Sequence, residues 1–303
     1  MLKVKIRNIE FDNPIMASSG TFGYGYEVES FVDISKIGCV ITKSITLNPR
    51  EGNSSPRIHE SESGMINSIG LANVGVEKFC KEKIPILNSI NTKFIVSIAG
   101  ENAEEYSQVI KEIEETQSNH VGYEINVSCP NTKKGGMEFG VDEDMTYDLT
   151  ASLRKITDKI LIIKLSPNVT NIAKIALSAE SGGADAVSAV NTFVGLSIDY
   201  KTGNFILSNK FGGVSGPAIK PMALAKVHQI YNSVKIPIIG MGGISCFKDV
   251  IEFIRVGASM VQIGTLNYRD PSILSKFNGE LINFFKSNNI KDLSELVGAC
   301  NEG

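Results

Sequence analysis

The chain has 303 residues, 42% hydrophobic and 21% charged, a balance that suits a soluble globular protein with a sizeable core and excludes a disordered chain. Its net charge is −3, and no stretch approaches the ~20 apolar residues of a membrane-spanning helix, so neither nucleic acid nor a membrane is expected as a partner. The five cysteines, Cys39, Cys80, Cys129, Cys246 and Cys300, are odd in number, widely spaced and without a CxxC pair. A disulfide framework is therefore not expected, nor is a metal or iron–sulfur site built by this chain alone. Residues 1–10 alternate apolar and charged and lack the apolar centre of a signal peptide, so the expected compartment is the cytoplasm.

In chain order, residues 1–7 and 9–15 read as short alternating strands joined at Asn8, an N-terminal β-hairpin outside the main fold. Residues 16–25 are rich in Gly, Ser and Ala, small residues that let a backbone approach a ligand or another strand. Short apolar runs then alternate with amphipathic stretches. The predicted strands are 39–42, 65–67, 94–99, 122–126, 161–165, 186–190, 236–240 and 260–264. The predicted helices include 104–117, 144–158, 171–181, 221–233, 247–256 and 271–288. Several strands are apolar throughout, as strands buried on both faces are. The alternation predicts a parallel sheet with crossover helices. Eight strands predict a (β/α)8 TIM barrel, a fold of ~250 residues with its active site at the strand C-termini. The 65–67 strand is very short and has no obvious helix before Glu77, which leaves a doubly wound open sheet as the alternative. No linker, low-complexity tract or internal repeat interrupts the chain, so residues 1–303 are expected to form one domain.

In a barrel, function gathers where strands end. Those ends hold Lys43-Ser44, Asn67-Ser68-Ile69-Gly70-Leu71, Ser97, Asn126, Lys164, Val190-Asn191-Thr192, Gly242-Gly243 and Gly264-Thr265. A lysine placed just after apolar residues needs a reason, because desolvating its charge is costly unless it is paired. For Lys43 and Lys164 that reason reads as function; the plainer reading is a lysine snorkelling at the sheet end. The two glycine pairs follow the last two strands. Barrels often bind phosphate there, through backbone N–H groups and a helix N-terminus. Gly216 offers a third close backbone approach. No carboxylate sits at these ends, so paired-carboxylate chemistry and an acidic metal site are not expected. His59, His120 and His228 share no triad or metal spacing and read as structural or exposed. Cys129 stands between a strand end and the polar loop 131–140. From its neighbours alone it is either a catalytic thiol or a small buried residue before a proline turn.

The segment Asn126-Val127-Ser128-Cys129-Pro130-Asn131 resembles the active-site segment of class 1 dihydroorotate dehydrogenases. So do Lys43-Ser44 with Thr46, Pro49-Arg50-Glu51-Gly52-Asn53, Asn67-Ser68-Ile69-Gly70-Leu71 and Gly240-Met241-Gly242-Gly243-Ile244. The likeness runs in order over essentially the whole chain. The segments 164–169 and 213–221 are similar to subtype B, the NAD-linked catalytic subunit; the fumarate-linked homodimer of subtype A is the nearer competitor. One departure is Ser97, where subtype B relatives often carry a flavin-contacting asparagine; its context is more like subtype A.

The resemblance implies one FMN at the strand C-termini. Gly242, Gly243, Gly264 and Thr265 would meet its phosphate, and Ser19, Gly20, Lys43, Ser44, Ser97, Asn126, Val190 and Gly216 would line the cofactor. Lys164 would stand by the pyrimidine edge, where a cation stabilises the reduced ring. Dihydroorotate would be held by Lys43, Asn67, Ser68, Asn126, Asn131, Asn191 and Thr192 with Ile69, Gly70 and Leu71. Cys129 would be the general base, taking a proton from substrate C5 while hydride leaves C6 for the flavin, in de novo pyrimidine biosynthesis. The loop after Asn131 would close over the site. Subtype B further implies a homodimer core with an electron-transfer subunit carrying FAD and a [2Fe–2S] cluster, in a heterotetramer. The competing readings are a flavin barrel acting on another dihydropyrimidine, an RNA-binding dihydrouridine synthase and a flavin-free phosphate-binding barrel. The second of these predicts a basic surface and an added helical domain, and neither is visible.

Overall fold

The structure, a computed structural model, describes residues 1–30, 32–128, 130–131 and 137–300, without the side chains of residues 130, 131 and 137. At its centre eight parallel strands form a closed barrel: Ile15–Ala17, Cys39–Ile41, Phe94–Ile98, Gly122–Asn126, Ile160–Lys164, Ala186–Ala189, Ile238–Met241 and Met260–Ile263. They pair in chain order, and the ring closes where Val261 pairs with Ile15 and Ile263 with Ala17. The strands are rich in Ile and Val, whose branched side chains suit a pleated surface. Both faces are covered, so every residue of Ile160–Lys164 is buried.

Helices Ala103–Glu114, Glu143–Arg154, Ile172–Ser181, Lys220–Tyr231, Phe247–Arg255 and Ile273–Ser287 match the predicted ones, with ends shifted by a few residues. Three begin at a side-chain cap. Asn102, Asp142 and Asn171 accept from the backbone N–H of Glu105, Met145 and Lys174 at 3.0, 2.8 and 3.3 Å. Each cap satisfies a donor that the first turn leaves unpaired. Among the described residues no helix is long and apolar enough to cross a membrane.

Two strand assignments change. The first barrel strand is Ile15–Ala17, which the sequence reading merged into the hairpin and the small-residue loop. The chain turns at residues 12–14, where Asn13 Oδ1 accepts from the Ile15 N–H at 3.0 Å. The segment 65–67 is not a barrel strand. It belongs to Gly64–Asn67, in an antiparallel sheet ordered Phe193–Leu196, Phe211–Ser215, Gly64–Asn67, Ile58–Ser61. That sheet is built from insertions after the second and sixth barrel strands. The first insertion also delays the following helix, which runs as Val76–Lys78, a π-helical Phe79–Lys83 and Ile84–Leu87 with a proline in its first turn. Pro85 there interrupts the helical pattern in the sequence.

The N-terminal hairpin, Val4–Ile6 with Ile9–Phe11, is present but packed onto the core. Ile6 and Phe11 are fully buried. The Arg7 guanidinium reaches Asp158 at 3.6 Å and Asp185 at 3.7 Å, just before the fifth and sixth strands. The hairpin therefore sits at the end of the barrel opposite the strand C-termini.

His120, just before the fourth strand, is 2% exposed and lies edge-on to Tyr123 with ring centroids 4.8 Å apart. Burial, and then the nearby Lys159 charge, pull its pKa down to about 3. The folded imidazole is neutral, whereas the unfolded chain takes up a proton below about pH 6.5. The stability this group contributes is complete above about pH 6.5 and is lost as pH falls from there towards about 3. His120→Gln is expected to flatten that dependence by roughly 3–5 kcal/mol across the window. Urea unfolding midpoints of the variant and the parent, at about pH 4 and about pH 7, check this; parallel losses in both proteins would rule the assignment out.

Candidate active site

The C-terminal ends of the barrel strands open into a cavity of about 770 Å³. The inserted sheet supplies part of its wall, with Ile58, Glu60, Ser61, Met65, Asn67 and Ser215 among the lining residues. Of the residues predicted around a cofactor, Ser19, Gly20, Lys43, Ser44, Asn126, Lys164, Val190, Gly216, Gly242, Gly243, Gly264 and Thr265 line this cavity. So do Asn67, Ser68, Ile69, Gly70, Leu71, Asn191 and Thr192, predicted around a substrate. Ser97 does not. It is fully buried behind Ser44, whose Oγ lies 2.8 Å from Ser97 Oγ and 3.2 Å from Ser19 Oγ. Ser97 therefore supports a wall residue from beneath. The backbone of Asn131 pairs with Met137. The Asn131 side chain, Cys129 and most of the predicted lid loop lie outside the described residues.

The asparagines interlock. Asn191 Nδ2 donates to Asn126 Oδ1 at 3.1 Å and to Ser128 Oγ at 3.0 Å, while its Oδ1 accepts from the Thr192 N–H at 2.8 Å. Asn126 itself is held from outside the barrel, where Tyr106 Oη donates to its backbone carbonyl at 2.7 Å. Asn126 Nδ2 has no partner among the described residues, and Asn126 lines the cavity. The loop 67–71 is braced from behind. Asn53 Nδ2 donates to Ser68 O at 3.0 Å and Ser68 Oγ at 2.8 Å, and the Asn53 N–H donates to Ile69 O at 3.0 Å. Arg50 pairs through its backbone with Asn73 and through its guanidinium with Glu101 at 2.5 Å. The segment Pro49-Arg50-Glu51-Gly52-Asn53 thus acts behind the cavity wall, which its sequence does not reveal.

The glycine end of the cavity is shaped for an anion. Gly243 has φ +79°, and a Cβ there would stand 2.7 Å from the Lys220 backbone nitrogen and 2.9 Å from Gly216 O. No side chain fits, so the backbone itself faces the cavity. The Ser245 and Cys246 N–H groups are already taken by Asp249 Oδ2, at 2.7 and 3.0 Å. The start of helix Phe247–Arg255 is therefore capped internally, while Gly242, Gly243, Gly264 and Thr265 line the cavity beside it.

Charge in the cavity is uneven. Lys43 is half-buried, and its Nζ has no partner among the described residues; burial, and then the Arg57 charge, hold its pKa below the usual lysine value. A ligand carboxylate or carbonyl would relieve that desolvation. Lys164 is buried and paired with Glu124, its Nζ 3.4 Å from Glu124 Oε1. Glu124 is not among the strand-end residues, because it lies deeper on the fourth strand. Its signal was one charged residue inside the apolar run Gly122-Tyr123-Glu124-Ile125.

A barrel with a glycine-built cavity end, a lysine unpaired among the described residues and interlocked asparagines around one cavity is of the kind that can take a phosphorylated group at its strand C-termini. A family model for dihydroorotate dehydrogenase matches residues 1–285, and the chain belongs to that family. It is 44% identical over 298 residues to the dihydroorotate dehydrogenase B (NAD(+)) catalytic subunit of Geotalea uraniireducens, spanning 98% of this chain and 97% of the relative. The proteins of the same name from Parabacteroides distasonis and Thermoanaerobacter pseudethanolicus are 46% and 43% identical over 298 residues, again 98% of this chain and 97% and 98% of the relatives. Membership implies a flavin cofactor, and the residues present fit one: the glycine end for a phosphate, and the Lys43 ammonium, unpaired among the described residues, for acceptors of a ring.

Gly243→Ala is expected to destabilise the fold by at least about 1–3 kcal/mol, from a left-handed non-glycine residue and a backbone clash. Gly264→Ala is expected to be near neutral, since its Cβ would meet Ser18 and Thr21 at 3.6 Å, ordinary contact. Thermal unfolding of the two variants, with flavin content read by absorbance, separates them; equal losses would contradict the cradle geometry.

Proposed function

We propose that this chain is the catalytic subunit of an NAD-linked dihydroorotate dehydrogenase, oxidising (S)-dihydroorotate to orotate in de novo pyrimidine biosynthesis in the cytoplasm, with residues 1–303 acting as one FMN-binding unit. The observation that carries this reading is the meeting of Asn67, Asn126, Asn191 and Thr192 with Lys43 and the glycine cradle on one cavity. FMN, when bound, supplies a two-electron acceptor for the hydride from substrate C6. Gly242, Gly243, Gly264 and Thr265 would hold its phosphate, and Ser19, Gly20, Ser44, Val190, Gly216 and Lys164 its remaining length. Asn67, Asn126, Asn191 and Thr192, joined by Asn131, offer amides and a hydroxyl that match a carboxylate and two ring amides. Ser68 and the braced loop to Leu71 fix the substrate edge, and Lys43 supplies positive charge. Cys129 takes the C5 proton as hydride departs, which forms the C5=C6 double bond.

The relatives are named as catalytic subunits for NAD(+), which supports a separate electron-transfer subunit; we assign it FAD and a [2Fe–2S] cluster and the whole a heterotetramer. A homodimer core is supported by an apolar surface on the inserted sheet and its extension. Val194, Leu196, Ile198, Tyr200, Phe205 and Phe211 are between 47% and 85% exposed there, more apolar area than scattered surface residues account for.

Cys129→Ser is expected to keep its flavin while dihydroorotate reduces that flavin at least about 100-fold more slowly, the scale of a lost general base. In the parent enzyme the reduction rate should rise with pH as the thiol, with an ordinary pKa of ~8.5, ionises. Stopped-flow absorbance of flavin reduction checks both; parent-like rates in the variant would remove Cys129 as base.

Purified alone, the chain is expected to run as a dimer, to be reduced by dihydroorotate and to transfer electrons poorly to NAD+. Sizing chromatography and an acceptor comparison, NAD+ against fumarate, test the proposal. Efficient NAD+ turnover by the isolated chain would eliminate the partner subunit, and brisk fumarate turnover would move the assignment to the other subtype.

A further inference from the structure

We infer that Glu124 is a positioning residue for Lys164, and that it sets how much positive potential Lys164 presents to the cavity. The inference rests on the flavin reading above. Glu124 is fully buried on the fourth strand. Its Oε1 lies 3.4 Å from Lys164 Nζ; its Oε2 accepts from Ser188 Oγ at 3.0 Å and from Gln262 Nε2 at 2.5 Å. These four side chains come from the fourth, fifth, sixth and eighth barrel strands. They form a polar cluster inside a barrel, where branched apolar residues are the usual filling.

Packing alone does not explain such a cluster. A buried carboxylate carries a desolvation penalty of several kcal/mol, and an apolar side chain of similar volume would often be as stable or more so. What the cluster does provide is a fixed anion under a cation at the edge of the cavity. Lys164 and Gln262 both line that cavity, and Glu124 does not. The carboxylate is thus held by Ser188 and Gln262 on one side and meets the Lys164 ammonium on the other. Gln262 Oε1 is buried without a partner among the described residues, and the amide donates to Glu124 through Nε2.

Two effects follow from this geometry. The Glu124 charge keeps Lys164 Nζ at one place in the cavity floor, although a four-carbon side chain could otherwise wander. It also offsets part of the Lys164 field. A reduced flavin ring carries negative charge that the oxidised ring lacks, so an unopposed lysine beside it favours reduction and a paired one favours it less. Lys164 acts on the ligand; Glu124 acts through Lys164. Lys43 has no carboxylate within hydrogen-bonding distance among the described residues.

The test compares flavin content and the midpoint potential of the bound flavin, by equilibrium titration against a redox dye, in the parent and in Glu124→Gln. The variant is isosteric and is expected to retain flavin. It should favour the reduced over the oxidised flavin about tenfold more than the parent does, a rise of about 30 mV for a two-electron couple. Ser188→Ala keeps the charge and removes one of its donors, so it should shift the potential the other way; it carries the test if Glu124→Gln does not fold. A merely structural carboxylate would alter stability and leave the potential in place. Parent-like potentials in the flavin-bearing variants overturn the inference alone, whereas a parent protein that purifies without flavin overturns the cofactor reading and the inference with it.

Discussion

The ladder between Met260–Ile263 and Ile15–Ala17 closes the barrel, and the cavity exists only because it closes. Parallel pairing points every strand C-terminus the same way, and closure bends those ends into a ring. Residues that lie far apart in sequence, Lys43, Asn126, Lys164, Asn191, Gly243 and Thr265, then border a single space. The same strands laid out as an open sheet would lose only this one ladder, but would spread those side chains along one edge. Closure also creates an interior, and it is there that the Glu124 cluster meets.

Much of this was legible in the sequence, for physical reasons. Strands covered on both faces are apolar for most of their length, so Ile160–Lys164, apolar up to its last residue, and Ile238–Met241 announce themselves. The cavity glycines were readable because residues just after a strand have few reasons to be Gly-Gly unless backbone must face a ligand. The missed features are those that depend on depth or on turns. Ile15–Ala17 directly continues the apolar run of the hairpin, and only the break at residues 12–14 separates them. Gly64–Asn67 has a strand's composition, but which sheet takes it is decided by partners at Ile58–Ser61 and Phe211–Ser215. Ser97 and Ser44 both stand at the C-terminal ends of neighbouring strands, and nothing in the sequence says that one stands behind the other. Glu124 violates the rule that barrel interiors are apolar, and its partners come from three other strands.

The two lysines of the cavity illustrate how burial and pairing divide labour. Lys43 is half-buried with no counter-charge within hydrogen-bonding reach among the described residues, so a ligand acceptor would offset its desolvation. Lys164 is deeper and already has its anion. A site with one unsatisfied cation and one satisfied cation can bind an anionic ligand strongly at one end while holding a graded potential at the other.

The inserted sheet has a consequence for how the cavity wall opens. Its strands come from two segments separated by well over a hundred residues, yet Gly213, Val214 and Ser215 pair directly with Asn67, Ile66 and Met65. Neither insertion is a free loop. Each is one half of a ladder, and fraying either half strips hydrogen bonds from the other. The wall therefore behaves as one cooperative unit with a shared opening free energy. A protease nick within one insertion would leave its inner strand, Gly64–Asn67 or Phe211–Ser215, held by the other.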